Sequence, residues 1–374
     1  MASSLEDAGA VASFSWAGDR LDVAALESEL AGLRREAGGT SPEGEEPFVT
    51  RTSILNLVAY AESDSAARRA ADVIVRLDEH PSRSIVLVAE SGASTPAIRA
   101  QLSAHCHIAG PQRRVCCDEI ELRVRGAVAD HLHSIVLPLL VPDLPAFFWW
   151  ADDLPDDTHT VDDLLEVADR LLVDSARLTD LALLSRLTAL CARHSGCSIG
   201  DFNWARLHTW RELTAQFFDS PSLAPHLAEI AEVEVEYAVA GSSPRPAQAL
   251  LFAGWLAACL GWEEAVGLDQ GRWRLQGRQR DVSLRLRGRR ASGVQAGDLL
   301  SIRLKGKGAS FGIRRDADRQ VLLTVADAPE TKLERAVRIQ LCGEVEMLSA
   351  NLRVAAHDSI YEEALAIAAS LSAY

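Results

Sequence analysis

Between Ser53 and Asp174 short apolar runs alternate with amphipathic stretches, and this alternation restricts the possible folds more than any other feature of the chain. Ser53 to Tyr60 has strand composition, Ser63 to Glu79 carries a helical period, and Ser84 to Ala89 is again an apolar strand, which makes a β-α-β unit. Strands are expected again over 115–124, 146–150 and 171–174, with helices over 128–140, 161–169 and 181–194. Strands separated by helices at this spacing predict an α/β fold, a doubly wound, mostly parallel sheet of Rossmann-like type, assigned here to residues 49–221. After Pro221 the texture changes. Strands are expected over 230–239, 273–286, 299–304, 311–314, 321–325 and 336–341, with an apolar helix over 246–262 and a last helix from Ile360. Residues 222–374 are therefore expected to form a second, α+β domain with an antiparallel sheet. Residues 1–48, rich in Ala, Gly, Ser and Glu, are expected to be a flexible N-terminal segment able to form one helix over 21–35.

With 374 residues and 48% hydrophobic composition the chain can fill more than one core. It has no basic stretch followed by an apolar one near Met1 and no run of about twenty uncharged apolar residues, so a cytoplasmic protein away from membranes is expected. Seven cysteines, an odd number, suit reduced thiols better than a disulfide framework. The net charge of −15 argues against nucleic-acid binding. One stretch departs from it: Arg272 to Arg319 holds fourteen Lys or Arg against four Asp.

Two Trp, three Phe and two Arg crowd into Ser198 to Pro221. Asp201 is placed to cap a helix over 202–218, and Asp219-Ser220-Pro221 to stop it. At about 100° per residue, Trp204, Leu207, Trp210, Leu213, Phe217 and Phe218 share one half of the wheel and His208, Glu212 and Gln216 the other. Arg206 and Arg211 project into the apolar half, where a guanidinium must find a carboxylate, a phosphate, an aromatic face or a partner surface. A core helix with internally paired arginines and a partner-binding site both satisfy that condition.

No catalytic constellation stands out, and neither a cofactor nor a metal is expected. The turn after the first strand reads Ala61-Glu62-Ser63-Asp64 where a dinucleotide-binding chain has G-x-G-x-x-G, and there is no P-loop. His105-Cys106-His107 and Cys116-Cys117 have the residue types of a zinc site, but adjacent strand residues point to opposite faces and no C-x-x-C pair is present. The acidic run Asp152 to Asp157 follows a strand end; capping and a solvated loop explain it, while the alternative is a metal-dependent enzyme acting on a sugar phosphate or nucleotide sugar. Leu284 and Leu286 alternate with Arg285 and Arg287, and Leu300, Ile302 and Leu304 with Arg303 and Lys305, which predicts a sheet with one apolar and one cationic face. Such a face is either solvated or docks an acidic partner or phosphorylated metabolite. Cys191 and Cys197 lie at a helix end and in the following Ser-Gly loop, close enough in sequence for either a disulfide or two free thiols.

Four motifs resemble one family. They are Arg51-Thr52, His80-Pro81-Ser82-Arg83, Leu144 to Trp150 ending in Phe147-Phe148-Trp149-Trp150, and Asp201-Phe202-Asn203-Trp204-Ala205-Arg206-Leu207 with Trp210-Arg211. Together they are similar to the glucose-6-phosphate dehydrogenase assembly proteins, the OpcA family of cyanobacteria and actinobacteria, over most of the chain. Phe202 stands where the family more often carries Leu, a change that packing tolerates. The resemblance implies a non-catalytic activator that binds glucose-6-phosphate dehydrogenase and promotes its active oligomer in the oxidative pentose phosphate pathway. It also implies, for the cyanobacterial branch, redox control through thioredoxin, for which Cys191 and Cys197 are the candidate pair. The residues expected to meet the partner are Trp204, Arg206, Trp210, Arg211, Arg285, Arg287, Arg303 and Lys305.

Overall fold

The computed structural model describes residues 11–18, 21–38, 48–51, 53–77, 80, 82–90, 93, 95–110, 113–152, 159–178, 180–240, 245–269, 271–329, 331–339, 342–354 and 356–373. The chain forms two compact units. The first comprises residues 1–173, 194–198 and 344–356, and the second 174–193, 199–343 and 357–374. The division falls at Val173/Asp174, so the Trp-rich segment groups with the C-terminal sheet, whereas the sequence alone places the line at Pro221.

In the first unit the strands are β1 (Val11–Gly18), β2 (Phe48–Arg51), β3 (Leu55–Ala61), β4 (Ser82–Glu90), β5 (Ala97–Gly110), β6 (Arg113–Arg125), β7 (Ala146–Trp150) and β8 (Arg170–Val173). Their order is β1-β5-β6-β4-β3-β7-β8, with β2 beside β6. The pairs β3·β4, β3·β7, β4·β6, β7·β8 and β2·β6 are parallel, and β1·β5 and β5·β6 antiparallel. The expected doubly wound, mostly parallel sheet is thus present. β3 is buried along its whole length, as its near-continuous apolar sequence requires of a strand covered on both faces. Trp149 and Trp150, adjacent on β7, are buried too, and the Trp150 ring centroid lies 4.2 Å from that of Tyr60 on β3.

Two features depart from the sequence reading. The segment before residue 48 is not merely a lead with a helix: β1 pairs with β5 along its length, and the helix Val23–Gly38 buries Leu26, Leu30 and Leu33. The second is β5 itself, for which the sequence predicts no element. Ile98, Ala100, Leu102 and Ala104 alternate there with polar residues, but the strand carries four alanines and few of the β-branched and aromatic side chains that mark a strand.

The second unit holds the last three residues of β9 (Ser198–Asp201), and β10 (Glu232–Val239), β11 (Glu263–Asp269), β12 (Arg272–Gln276), β13 (Asp281–Arg290), β14 (Leu299–Lys305), β15 (Ser310–Asp316), β16 (Val321–Ala328) and β17 (Thr331–Arg338). Eight of them form a sheet in the order β11-β12-β13-β10-β14-β15-β16-β17, antiparallel except for β10·β13. Its strands alternate buried and exposed residues, the pattern of a sheet with one dry face. The expected strand over 273–286 is a hairpin, β12 and β13, turned at Gly277. Helix Ala247–Leu260 is buried nearly all round, and it meets helix Ser359–Ser372 so closely that a Cβ on Gly254 would lie 2.2 Å from the Ala364 carbonyl oxygen.

Candidate functional site

The Trp-rich segment forms two helices, Phe202–Arg206 and His208–Gln216, not the single one expected. The break is at Leu207, whose N–H is shared at 3.2 Å between the carbonyls of Asn203 and Trp204, a tightened last turn. Asp201 caps the first helix as expected, its Oδ1 accepting from Asn203 N at 2.8 Å and from Ser175 N at 3.0 Å. Trp204, Leu207, Trp210, Leu213 and Phe217 are buried, and His208, Glu212 and Gln216 exposed, as the wheel requires.

Around Asp201 a polar network is sealed inside the unit. Asn203 Nδ2 donates to Ser175 Oγ at 3.0 Å, Gln248 Nε2 to Asn203 Oδ1 at 3.0 Å, Leu299 N to Gln248 Oε1 at 2.8 Å, and Tyr361 Oη to Asp201 Oδ2 at 3.3 Å. These bonds tie the Trp-rich segment to helix 247–260, β14 and helix 359–372. Sequence reasoning missed Ser175, Gln248 and Tyr361, since each is isolated in sequence. Burial, foremost, pushes the Asp201 carboxyl up to about 6, with the charge of Asp174 adding to the effect.

The two arginines of the apolar half find different partners. Arg206 makes a two-pronged bond to Asp174, at 2.6 and 2.9 Å. Arg211 lies on the Trp204 indole, Cζ 3.5 Å from the ring centroid, and the Trp204 Nε1 donates to Asp358 Oδ2 at 2.9 Å. Trp210 packs into the core of the same unit.

In the first unit the turn after β3 answers the question raised by the missing glycine motif. Asp152 Oδ2, just past β7, accepts from Glu62 N at 3.2 Å, Ser63 N at 3.1 Å and Ser63 Oγ at 2.9 Å. The chain's own carboxylate thus occupies the donors of the turn just before helix Asp64–Ile74, beside the place where this architecture binds phosphate. Asp153 to Asp157 lie outside the described residues. Among the described residues no group of three or more His, Cys, Asp or Glu side chains could hold a metal ion. The side chains of His105, Cys106, His107 and Cys116 are outside that set.

The family-motif residues of the first unit are structural. Arg83 is fully buried; its Nη1 donates to Glu27 Oε1 at 2.6 Å and Leu139 O at 3.1 Å, and its Nε to Asp118 Oδ2 at 3.2 Å. Asp118 also takes two bonds from Arg34, at 2.6 and 2.7 Å. His80 is buried with Nε2 3.1 Å from Ser349 Oγ, and Ser82 Oγ lies 2.6 Å from Ser84 Oγ. Pro81 and Thr52 lie outside the described residues.

The expected cationic face is corrected by the sheet order. β10 runs between β13 and β14, and it places Glu234 beside Arg285 and Arg303, Glu236 beside Arg287, and Glu232 beside Lys305. Arg303 and Lys305 form ion pairs with Glu234 and Glu232 at 3.7 and 3.6 Å. The face is striped with both signs. Cys191 is half-buried and Cys197 buried, and desolvation pushes the Cys197 thiol up to about 11.

A doubly wound unit whose phosphate turn is closed by its own carboxylate, in one chain with a mixed-sheet α+β unit, defines the class. Residues 76–189 match the domain described as glucose-6-phosphate dehydrogenase subunit N-terminal domain, and residues 197–365 the corresponding C-terminal domain. The chain belongs to this OpcA family. Relatives named as OxPP cycle OpcA proteins include one from Nostoc punctiforme, 33% identical over 55% of this chain and 43% of its own length, and one from Synechocystis, 30% identical over 64% and 52%. A third, from Synechococcus elongatus, is 27% identical over 78% and 68%. The chain spans about half the length of the first two relatives. Among solved structures, a 3-ketoreductase from Actinomadura kijaniata superposes with a TM-score of 0.46 at 13% identity over 85% of this chain and 96% of its own. An aldose-aldose oxidoreductase from Caulobacter crescentus gives 0.45 at 13% over 85% and 97%. These last likenesses carry no argument about activity. Among the described residues no helix is long and apolar enough to cross a membrane.

Proposed function

We propose that this chain is a non-catalytic assembly factor and allosteric activator of glucose-6-phosphate dehydrogenase, acting in the cytoplasm on the oxidative pentose phosphate pathway by favouring the enzyme's active oligomer. The observation that carries the reading is the pair of family matches, one in each half of the chain, both described as parts of a subunit of that dehydrogenase. The relatives' names, drawn from the OxPP cycle, agree with it. Support for the lack of catalysis comes from Asp152: a dinucleotide phosphate brought to the β3 turn would meet a carboxylate already seated on the backbone donors. Redox control by thioredoxin through Cys191 and Cys197 belongs to the same proposal. A buried thiol with a raised pKa reacts slowly, so exchange at Cys197 requires local opening of the 194–198 loop.

The test is to add the purified protein to its pure cognate dehydrogenase. The protein alone should show no dehydrogenase activity, and the mixture should show raised activity, most visibly at low substrate. Unchanged KM and kcat in the mixture would refute the proposal.

A further inference from the structure

Arg211 is a cation without a counter-ion of its own. Among the described residues it makes no ion pair; Nη2 donates to Trp204 O at 3.3 Å, and Nε is enclosed without an acceptor. A guanidinium has five N–H donors, so most of the fork is unused. Asp358, the carboxylate whose charge acts on it, is already committed, one oxygen to the Trp204 indole and the other to Tyr361 N as the cap of helix 359–372. Burial without a bonded carboxylate lowers the Arg211 pKa to about 10, which leaves it charged at neutral pH.

The guanidinium is also stacked on a fixed ring. Its Cζ lies 3.5 Å from the centroid of an indole that is buried, hydrogen-bonded through Nε1 and packed on Tyr361 with ring centroids 5.4 Å apart. A partly desolvated cation with spare donors, stacked on a fixed ring, is costly alone and well arranged for an incoming anion, because less ordering remains to be done on binding.

We infer that Arg211, stacked on Trp204, receives a carboxylate side chain of the partner protein and anchors the interface with it. The inference rests on the proposed function, which makes that partner the dehydrogenase. The charge balance favours a carboxylate. A single cation can neutralise one negative charge, while Asp358, which acts on Arg211, and Glu363, which acts on the adjacent exposed Cys259, add a negative field that a phosphate dianion would meet unfavourably. A Trp and an Arg side by side are also the residues in which interface energy concentrates.

The experiment measures Kd for the purified cognate dehydrogenase with wild type, Arg211→Met and Arg211→Lys, alongside the Tm of each. Arg211→Met keeps the contact with the indole and removes a desolvated charge, so its Tm should equal or exceed that of wild type. Its binding should weaken about 30-fold or more, and Arg211→Lys, lacking the planar fork, should lose nearly as much. Were Arg211→Met to fail to fold, Arg211→Lys and competition on the wild-type complex decide: acetate should displace the partner at least as well as inorganic phosphate at equal ionic strength. Displacement by phosphate alone overturns the assignment of a carboxylate. Wild type that binds, with both variants within about threefold of it, overturns the inference and leaves the proposed function standing. Wild type that does not bind the dehydrogenase overturns the proposed function itself.

Discussion

Arg83 in the first unit is fully buried and Arg211 in the second half-buried, and the groups that surround them differ. Arg83 is wrapped by carboxylates: Asp118 and Glu27 meet its nitrogens, Arg34 completes Asp118, and Leu139 O takes a further hydrogen. Arg211 is given an indole face and one carbonyl. Buried ion pairs are weak contributors to net stability but very sensitive to the loss of one partner. The Arg83 cluster therefore acts as a clasp that ties the helix Val23–Gly38 to β4 and β6. Arg211, incomplete within its own unit, offers its binding capacity outward.

The largest effect expected from this contrast is at Asp118. Asp118→Asn leaves two arginines, Arg34 and Arg83, without their shared carboxylate in a buried site. Loss of one partner of such a cluster costs about 3–5 kcal/mol, enough to lower the denaturant midpoint of the first unit markedly. The equivalent deletion at Arg211 should cost nothing. Chemical unfolding of the two single mutants compares them directly, and equal destabilisation would end the distinction.

Most of the sheet framework was legible in the sequence because it rests on local signals: apolar runs such as Ile85 to Val88 and the alternation in β13 and β14. What escaped depends on contacts distant in the chain. β5 has the alternation of a strand but small side chains, and only its neighbours β1 and β6 make it one. Glu232, Glu234 and Glu236 were visible, yet nothing local says that they lie between two arginine-bearing strands. Likewise the wheel placed Arg206 and Arg211 in an apolar setting and could not say which would meet a carboxylate. Asp174, 32 residues before Arg206, settles that through the fold.

A carboxylate version of the same contrast gives the next effect. Asp118 is paired with arginines, whereas Asp201 is bonded to neutral donors, Ser175 N, Asn203 N and Tyr361 Oη. Its carboxyl, ordinarily near 3.8, is raised to about 6 by burial. Between those values the folded chain keeps a proton that the unfolded chain has released. This group's contribution to stability therefore falls as pH rises through the window and is level above it, a change on the order of 3 kcal/mol. Asp201→Asn, which keeps an acceptor for the two N–H groups, should remove that component. Unfolding free energies of wild type and mutant from pH 4 to pH 7 should converge at the acid end and separate in favour of the mutant toward neutrality; parallel curves would mean that Asp201 stays ionised throughout.

The smallest effect separates paired from unpaired cations at the surface, on the exposed face of the eight-stranded sheet. Arg303 and Lys305 each form an ion pair with a glutamate of β10, whereas Arg285 and Arg287 lie beside Glu234 and Glu236 of the same strand by register without an ion pair among the described residues. Exposed pairs contribute about 0.2–1 kcal/mol, so reversal of either set to Glu should move the Tm only slightly, and more for Arg303 and Lys305, which would then oppose Glu234 and Glu232. Association should rank the two sets the other way. A charge already balanced on its own sheet has little attraction left for an acidic partner, while Arg285 and Arg287 keep theirs. Measured against the dehydrogenase at rising ionic strength up to about 0.2 M, the Arg285→Glu, Arg287→Glu double mutant should bind more slowly and with a flatter salt dependence than wild type. The Arg303→Glu, Lys305→Glu double mutant should follow wild type closely. Should the two mutants slow association equally, pairing within the sheet does not govern which cations act on the partner, and the rule drawn from Arg83 and Arg211 stops at the buried sites.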